Sequence, residues 1–250
     1  MIINTLELKT FLKKATLNYC IDSVQMNFTK DRVSSKMISP ASDAITLLNL
    51  ENTILPDMKK TDSITMNFSE PSTNLVPYLN LIDDSEETEV SIKDEKITLI
   101  QGKQKSNIFF CAPQVVSVFE ADSPREDISY FHTMDVDTDF AEAFVKIKKI
   151  GSKFNKIYFG VEKNEFYIET SDRQNRFSNG LRVKLCDVEY DDMSMCFEFK
   201  NLVNLMNVLL EDNNTFTAQF AYVEEQELGM MFIGNEDNSE RYYLMSRNDR

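Results

Sequence analysis

The sequence predicts an α+β protein built from two copies of one β-rich module. Three observations predict it. Asn74-Leu75-Val76-Pro77-Tyr78-Leu79-Asn80 returns 127 residues later as Asn201-Leu202-Val203-Asn204-Leu205-Met206-Asn207, about half the 250-residue chain away. An alternating apolar run precedes each copy, Ile64/Met66/Phe68 in one and Met195/Phe197/Phe199 in the other. An acidic break and a pair of strand-like runs follow each. Recurrence of order as well as of residues reads as duplication, and about 125 residues per copy is enough interior for a core.

Each element follows from its period. Leu8, Phe11, Leu12, Ala15 and Tyr19 fall at helical spacing and predict an amphipathic helix over 6–20, with Lys9, Lys13 and Lys14 off its apolar stripe. Strands are predicted at 24–28, 33–38, 44–48 and 64–68 from alternating or continuous apolar residues. A helix over 73–83 places Leu75, Tyr78, Leu79 and Ile82 on one face, and Pro77, tolerable only in a first turn, pins its start near Thr73 or Asn74. Strands at 89–92, 96–100 and 107–112 complete the first half. From Pro113 to Tyr130 the periodicity dissolves into a linker composition, so modules are predicted at 1–113 and 131–250 with a connector at 114–130. The second half repeats the programme. A helix carries Phe140, Phe144, Ile147, Ile150 and Phe154, with Gly151 as a stop or packing point, and strands follow at 156–161, 165–170, 181–185 and 195–199. A helix over 201–210 and strands at 216–222, 230–234 and 241–245 finish the chain.

Composition removes several functions. Four cysteines without Cys-x-x-Cys spacing and a single histidine, His132, argue against a zinc site and read as reduced thiols of an intracellular protein. No run approaches the roughly 18 apolar residues of a membrane helix, and no secretory signal is visible. Six glycines and no Trp argue against glycine-rich phosphate loops. Carboxylate pairs such as Asp83/Asp84 and Asp191/Asp192 sit in acidic turns, with no nucleophile elbow beside them, so no catalytic residue, metal or cofactor is assigned.

Net charge is −14, but the positive charge is concentrated. Residues 8–19 hold three lysines and no acid, and residues 140–156 hold Lys146, Lys148, Lys149, Lys153 and Lys156 against Glu142 alone. Lys146, Lys149 and Lys153 project within one sector, opposite the phenylalanine stripe. Helices often expose lysine, which is one reading; corresponding helices of two repeats doing so favours the other, a polyanion-facing surface. The repeated helix pair carries Asn80 in one copy and Lys200, Asn204 and Asn207 in the other, which are either phosphate contacts or plain surface.

In element order the chain resembles the DNA sliding clamps, the processivity rings that include proliferating cell nuclear antigen and the clamps of tailed phages. Arg241-Tyr242-Tyr243-Leu244-Met245 resembles the Lys-Tyr-Tyr-Leu-Ala segment ending the last strand of the eukaryotic clamp. Ser178-Asn179-Gly180-Leu181-Arg182-Val183-Lys184-Leu185 resembles its Gly-Asn-Gly strand, and Leu8-Lys9-Thr10-Phe11-Leu12-Lys13-Lys14 is similar to a phage clamp opening. The resemblance implies a DNA-clamp fold, with two helices on one face of antiparallel sheets in each module. It implies a homotrimeric ring around duplex DNA, bound without regard to sequence. Lys9, Lys13, Lys14, Lys146, Lys149, Lys153, Lys200, Asn204 and Asn207 are then DNA-facing. Ile108, Phe109 and Phe110 would pair with Leu181, Val183 and Leu185 of the next subunit, internal strands being the other reading. Ile38, Pro40, Val118, Phe119, Tyr243 and Met245 would wall a pocket for short peptide motifs of a DNA polymerase and a clamp loader, ordinary core packing being the other reading. Met245-Ser246 stands where the eukaryotic clamp has Ala-Pro, and Arg247-Asn248-Asp249-Arg250 replaces its acidic tail.

Two rival functions remain at this stage. One is a monomeric or dimeric processivity factor of the same fold that holds DNA by charge, which needs stronger basic patches. The other is an assembly protein made of a duplicated β-module. High Asn and Lys with low Gly point to an AT-rich genome, and the opening to a virus of bacteria; localisation is then the host cytoplasm, or the nucleus for a eukaryotic source.

Overall fold

A computed structural model describes residues 1–93, 95–122, 128–173, 179–212, 214–224 and 228–246. Residues 123–127 of the expected connector, Ser178 of the Ser-Asn-Gly motif and the end Arg247-Asn248-Asp249-Arg250 lie outside them. The chain divides into two compact units, 1–41 with 45–122, and 42–44 with 123–250.

The first unit runs β1 (Ile2–Ile3), α1 (Thr5–Ala15), β2 (Ser23–Phe28), β3 (Arg32–Ile38), β4 (Ala44–Glu51), β5 (Ile64–Ser69), α2 (Pro71–Asn74), α3 (Val76–Leu79), β6 (Thr88–Lys93), β7 (Lys96–Gln101) and β8 (Gln104–Phe109). Its strands form two antiparallel sheets, β5-β2-β3-β4 and β1-β6-β7-β8. The second unit runs β9 (His132–Asp135), α4 (Thr138–Gly151), β10 (Lys156–Glu162), β11 (Glu165–Thr170), β12 (Leu181–Asp187), β13 (Met193–Glu198), α5 (Phe199–Leu210), β14 (Phe216–Val223), β15 (Leu228–Asn235) and β16 (Glu240–Met245). Its sheets are β13-β10-β11-β12 and β9-β14-β15-β16, so each strand of one unit has a counterpart at the same place in the other. The duplication seen in one helix extends to the whole topology.

Both cores are what the periodicities require. In α1, Leu8, Phe11, Leu12 and Ala15 are at most 2% exposed, and the helix lies against β3. In α4, Phe140, Phe144 and Ile147 are buried against β11 and β12. The second unit is centred on Phe159, Phe166 and Phe220, with ring centroids 4.8 Å apart for Phe166–Phe220 and 5.2 Å for Phe159–Phe220. Such contacts add about 0.5–1.5 kcal/mol each beyond area burial.

Several expected boundaries are corrected. The helix expected over 6–20 stops at Ala15, because Leu17, Asn18 and Tyr19 all take positive φ (50°, 51° and 63°). The Thr16 hydroxyl donates to Leu12 O and Asn18 N to Lys13 O, which satisfies carbonyls the helix end would leave bare. The helix expected over 73–83 is two four-residue turns broken at Leu75 (φ −125°, ψ −54°). Pro77 has no N–H for the chain to bond back with, and its ring disfavours a continuous helix. Leu75, Leu79 and Ile82 are still buried, but Tyr78 is exposed. The strand expected at 107–112 is shifted to Gln104–Phe109, Lys153 and Phe154 lie past the end of α4, and β9 was not expected. Part of the expected connector is ordered: Ser117 O accepts from Ile38 N and Phe119 N donates to Lys36 O, so 117–119 lines the end of β3 that β2 does not reach.

Candidate nucleic-acid interface and open strand edges

The lysine helices are capped alike. The Asn4 side chain accepts from Glu7 N at 3.2 Å to start α1, and the Asp137 side chain accepts from Phe140 N at 2.9 Å to start α4. Lys13 and Lys14 fall in the last turn of α1, and Lys148 and Lys149 in that of α4. Cations there complement the helix dipole by about 0.3–1 kcal/mol each, a structural reason for them independent of any ligand.

What separates the two units is what each lysine meets. In the first, Lys9 Nζ donates to both oxygens of Asp84, at 3.0 and 2.9 Å, and the buried Thr5 hydroxyl donates to the same carboxylate at 2.6 Å. The Thr5 bond first and the Lys9 bond second hold the Asp84 carboxyl below the usual carboxylate range. Lys9, expected to face DNA, is thus tied into an ion pair within its own unit. Lys13 and Lys14 are half-buried and also engaged. In the second unit, Lys146, Lys149, Lys153 and Lys200 are exposed, and none has a hydrogen-bond or ion-pair partner among the described residues. Lys148, absent from the expected set, reaches across to α5, where its Nζ donates to Asn207 Oδ1 at 3.1 Å. Asn204 is half-buried and engaged on the same helix. The α4–α5 junction is close: a Cβ on Gly151 would overlap the Phe199 ring. Four unpaired ammonium groups and Lys148 thus share the solvent side of α4, its following loop and α5. Among the described residues no acidic side chain is bonded to any of them, so the face can neutralise a polyanion's phosphates and release the counterions condensed on it.

The strands expected at a subunit boundary are sheet edges. Among the described residues β8 pairs only with β7 and β12 only with β11. Along β8, Ser106 and Ile108 are buried while Lys105, Asn107 and Phe109 are exposed, Phe109 to 69%. Phe110 lies beyond the strand, its ring edge-on to Phe68 at 5.3 Å. On β12, Leu181, Val183 and Leu185 are half-buried, and a register shift opposite Phe166/Tyr167 leaves Leu185 as the extra residue. Arg182 is bonded to Glu162 and Glu169 with its guanidinium 3.9 Å from the Tyr167 ring centre, and Lys184 bridges Glu165 and Asp187 at 3.0 and 2.7 Å. These charges are tied sideways into their own sheet and do not guard the edge as charged edge residues usually do. The counterpart of β8 is not bare: on β16, Met245 N donates to Asp43 O of the segment 42–44, at 2.9 Å.

The expected pocket residues divide by unit. In the first, Ile38, Val118 and Phe119 are half-buried around the end of β3, and Pro40 is exposed. In the second, Met245 is half-buried, and Tyr243 is 4% exposed with its ring 4.9 Å from Phe232, which makes Tyr243 packed interior. Among the described residues no three His, Cys, Asp or Glu side chains come together as a metal-ligand group, and no helix is long and apolar enough to cross a membrane.

No family model matches the chain, and no curated protein sequence matches it significantly. Solved structures match it end to end. One is A. fulgidus PCNA with the C-terminal region of FEN-1 bound, at 15% identity, covering 100% of this chain and 98% of that one with a TM-score of 0.66. The PCNA2–PCNA3 complex from Sulfolobus tokodaii matches at 15% identity over 98% of both chains with a TM-score of 0.63. The DNA polymerase sliding clamp from Bacillus subtilis matches at 12% identity with a TM-score of 0.68; the match covers 100% of this chain and 64% of that longer one. A duplicated two-sheet topology, helices laid on corresponding strands and end-to-end superposition on these structures agree: the chain has the fold of the DNA sliding clamps.

Proposed function

We propose that the chain is the subunit of a sliding clamp, a non-enzymatic ring that encircles duplex DNA and tethers a polymerase for processive synthesis. The observation that carries this is the pair of open edges, β8 and β12. Within the second unit the edge of β16 is met by the segment 42–44, whereas β8, its counterpart in the repeat, is left open. We take β12 of another copy to pair with β8, as the clamp resemblance implies. Such a contact is head to tail, and it closes when the rotation per copy divides a full turn. A ring of three copies gives six similar modules around the duplex.

Retention by encirclement needs only weak attraction, which suits exposed lysines that read no base edge. The acidic remainder of the chain disfavours DNA elsewhere on the surface. Partners are proposed to dock by short peptides beside Val118 and Phe119, in the way the A. fulgidus neighbour carries a segment of FEN-1. Sedimentation equilibrium at micromolar concentration tests the assembly: a species near three times 29.0 kDa is expected. A stable monomer overturns the ring and leaves a non-encircling processivity factor as the reading.

A further inference from the structure

The two units offer DNA unequal faces, and one carboxylate makes much of the difference. Asp84 holds Lys9 with both oxygens and is itself fixed by the Thr5 hydroxyl, whose residue is 4% exposed. Swinging the carboxylate away breaks the Thr5 bond as well, so Lys9 is held more firmly than by an isolated surface pair. The segment 71–84, which holds α2 and α3, contains no lysine or arginine and ends on Asp83 and Asp84. Its counterpart α5 carries the exposed Lys200 in its first turn. On α4 and the loop after it, Lys146, Lys149 and Lys153 are exposed with no partner among the described residues.

We infer that each chain meets the duplex chiefly through its α4–α5 face, and that Asp84 masks Lys9 and so weakens the first unit's hold on the phosphates. This rests on the sliding-clamp reading and sharpens it: a ring of three copies presents three strong basic patches and three weak ones. A lysine already paired with a carboxylate neutralises no phosphate and so releases none of the counterions condensed on the DNA, which leaves the salt-dependent part of the affinity unchanged. Fewer strong patches leave the duplex tilted or moving from one patch to the next, and each contact stays weak enough to slide.

The test is binding of a fluorescent duplex to the full-length protein over a range of salt, with the assembly's mass recorded for every variant. Lys149→Ala is expected to reduce the slope of log K against log salt by about 0.9, the value of one phosphate contact. Lys9→Ala is expected to leave the slope unchanged, and Asp84→Asn, which keeps an acceptor for Thr5 but frees Lys9, to raise it by about 0.9. Equal losses from Lys9→Ala and Lys149→Ala overturn the inference while the ring stands, as does a folded Asp84→Asn with an unchanged slope. If Asp84→Asn does not fold, the Lys9→Ala and Lys149→Ala comparison decides alone. A wild-type protein that stays monomeric removes the clamp reading itself.

Discussion

Lys148 and Asn207 join the two helices of the second unit, with the ammonium donating to the amide oxygen at 3.1 Å. The bond leaves Lys148 with its charge uncompensated, since its acceptor is neutral. Asn207→Asp supplies an anion at the same place. That variant is expected to keep its stability within about 0.5 kcal/mol, as exposed ion pairs do. It should weaken duplex binding as the loss of one lysine does, lowering the salt slope by about 0.9. An unchanged slope would remove Lys148 from the basic face.

Gly151 ends α4 where the Phe199 ring crosses it. Alanine is the better helix former by about 1 kcal/mol, but forcing a methyl into a closed contact costs about 1–3 kcal/mol. The clash is expected to win, so Gly151→Ala should lower stability in urea unfolding. Phe199→Leu on that background should restore part of it. A Gly151→Ala protein more stable than the parent would contradict the packing described.

Phe109 is 69% exposed on β8, so Phe109→Asp should leave the unfolding midpoint of the separated subunit nearly unchanged. The same substitution places a charge on the proposed joint and should reduce the assembly to the 29.0 kDa chain. An assembly of unaltered mass would exclude β8 as the joint.

His132 is the single histidine, wedged against Phe166 at 5.1 Å with Nε2 3.2 Å from Cys186 Sγ. Burial lowers its pKa. A depressed histidine is neutral in the fold but protonates in the unfolded chain below about pH 6.5. Stability should therefore be level above that value and fall as the pH drops below it, until the folded ring also protonates. The thermal midpoint of the parent should decline from pH 7 to pH 5.5, and His132→Gln should remove most of that decline. An equal decline in both proteins would place the titrating group elsewhere.

The strands were legible because alternation is local: Val24, Met26 and Phe28 declare a buried face within six residues. The helix expected over 201–210 was legible from its helical apolar period, though it starts two residues earlier, at Phe199, the residue where a strand is expected to end. The end of α1 was not, since the apolar stripe runs on to Tyr19 while the backbone turns left-handed at Leu17. The break at Leu75 was signalled by Pro77 and read as a helix start. β1 is too short to show any period. On the candidate face, the lysine clusters could be counted, but which lysines are neutralised could not. Asp84 lies 75 residues from Lys9 and Asn207 lies 59 from Lys148, and only the fold brings them together.

Encirclement is tested most directly by assembling the protein in the presence of nicked circular duplex, isolating the complex by gel filtration, and then cutting the DNA once. A ring stays with the circle at moderate salt and is released when the DNA becomes linear. Equal retention before and after the cut, or none at either stage, would contradict it.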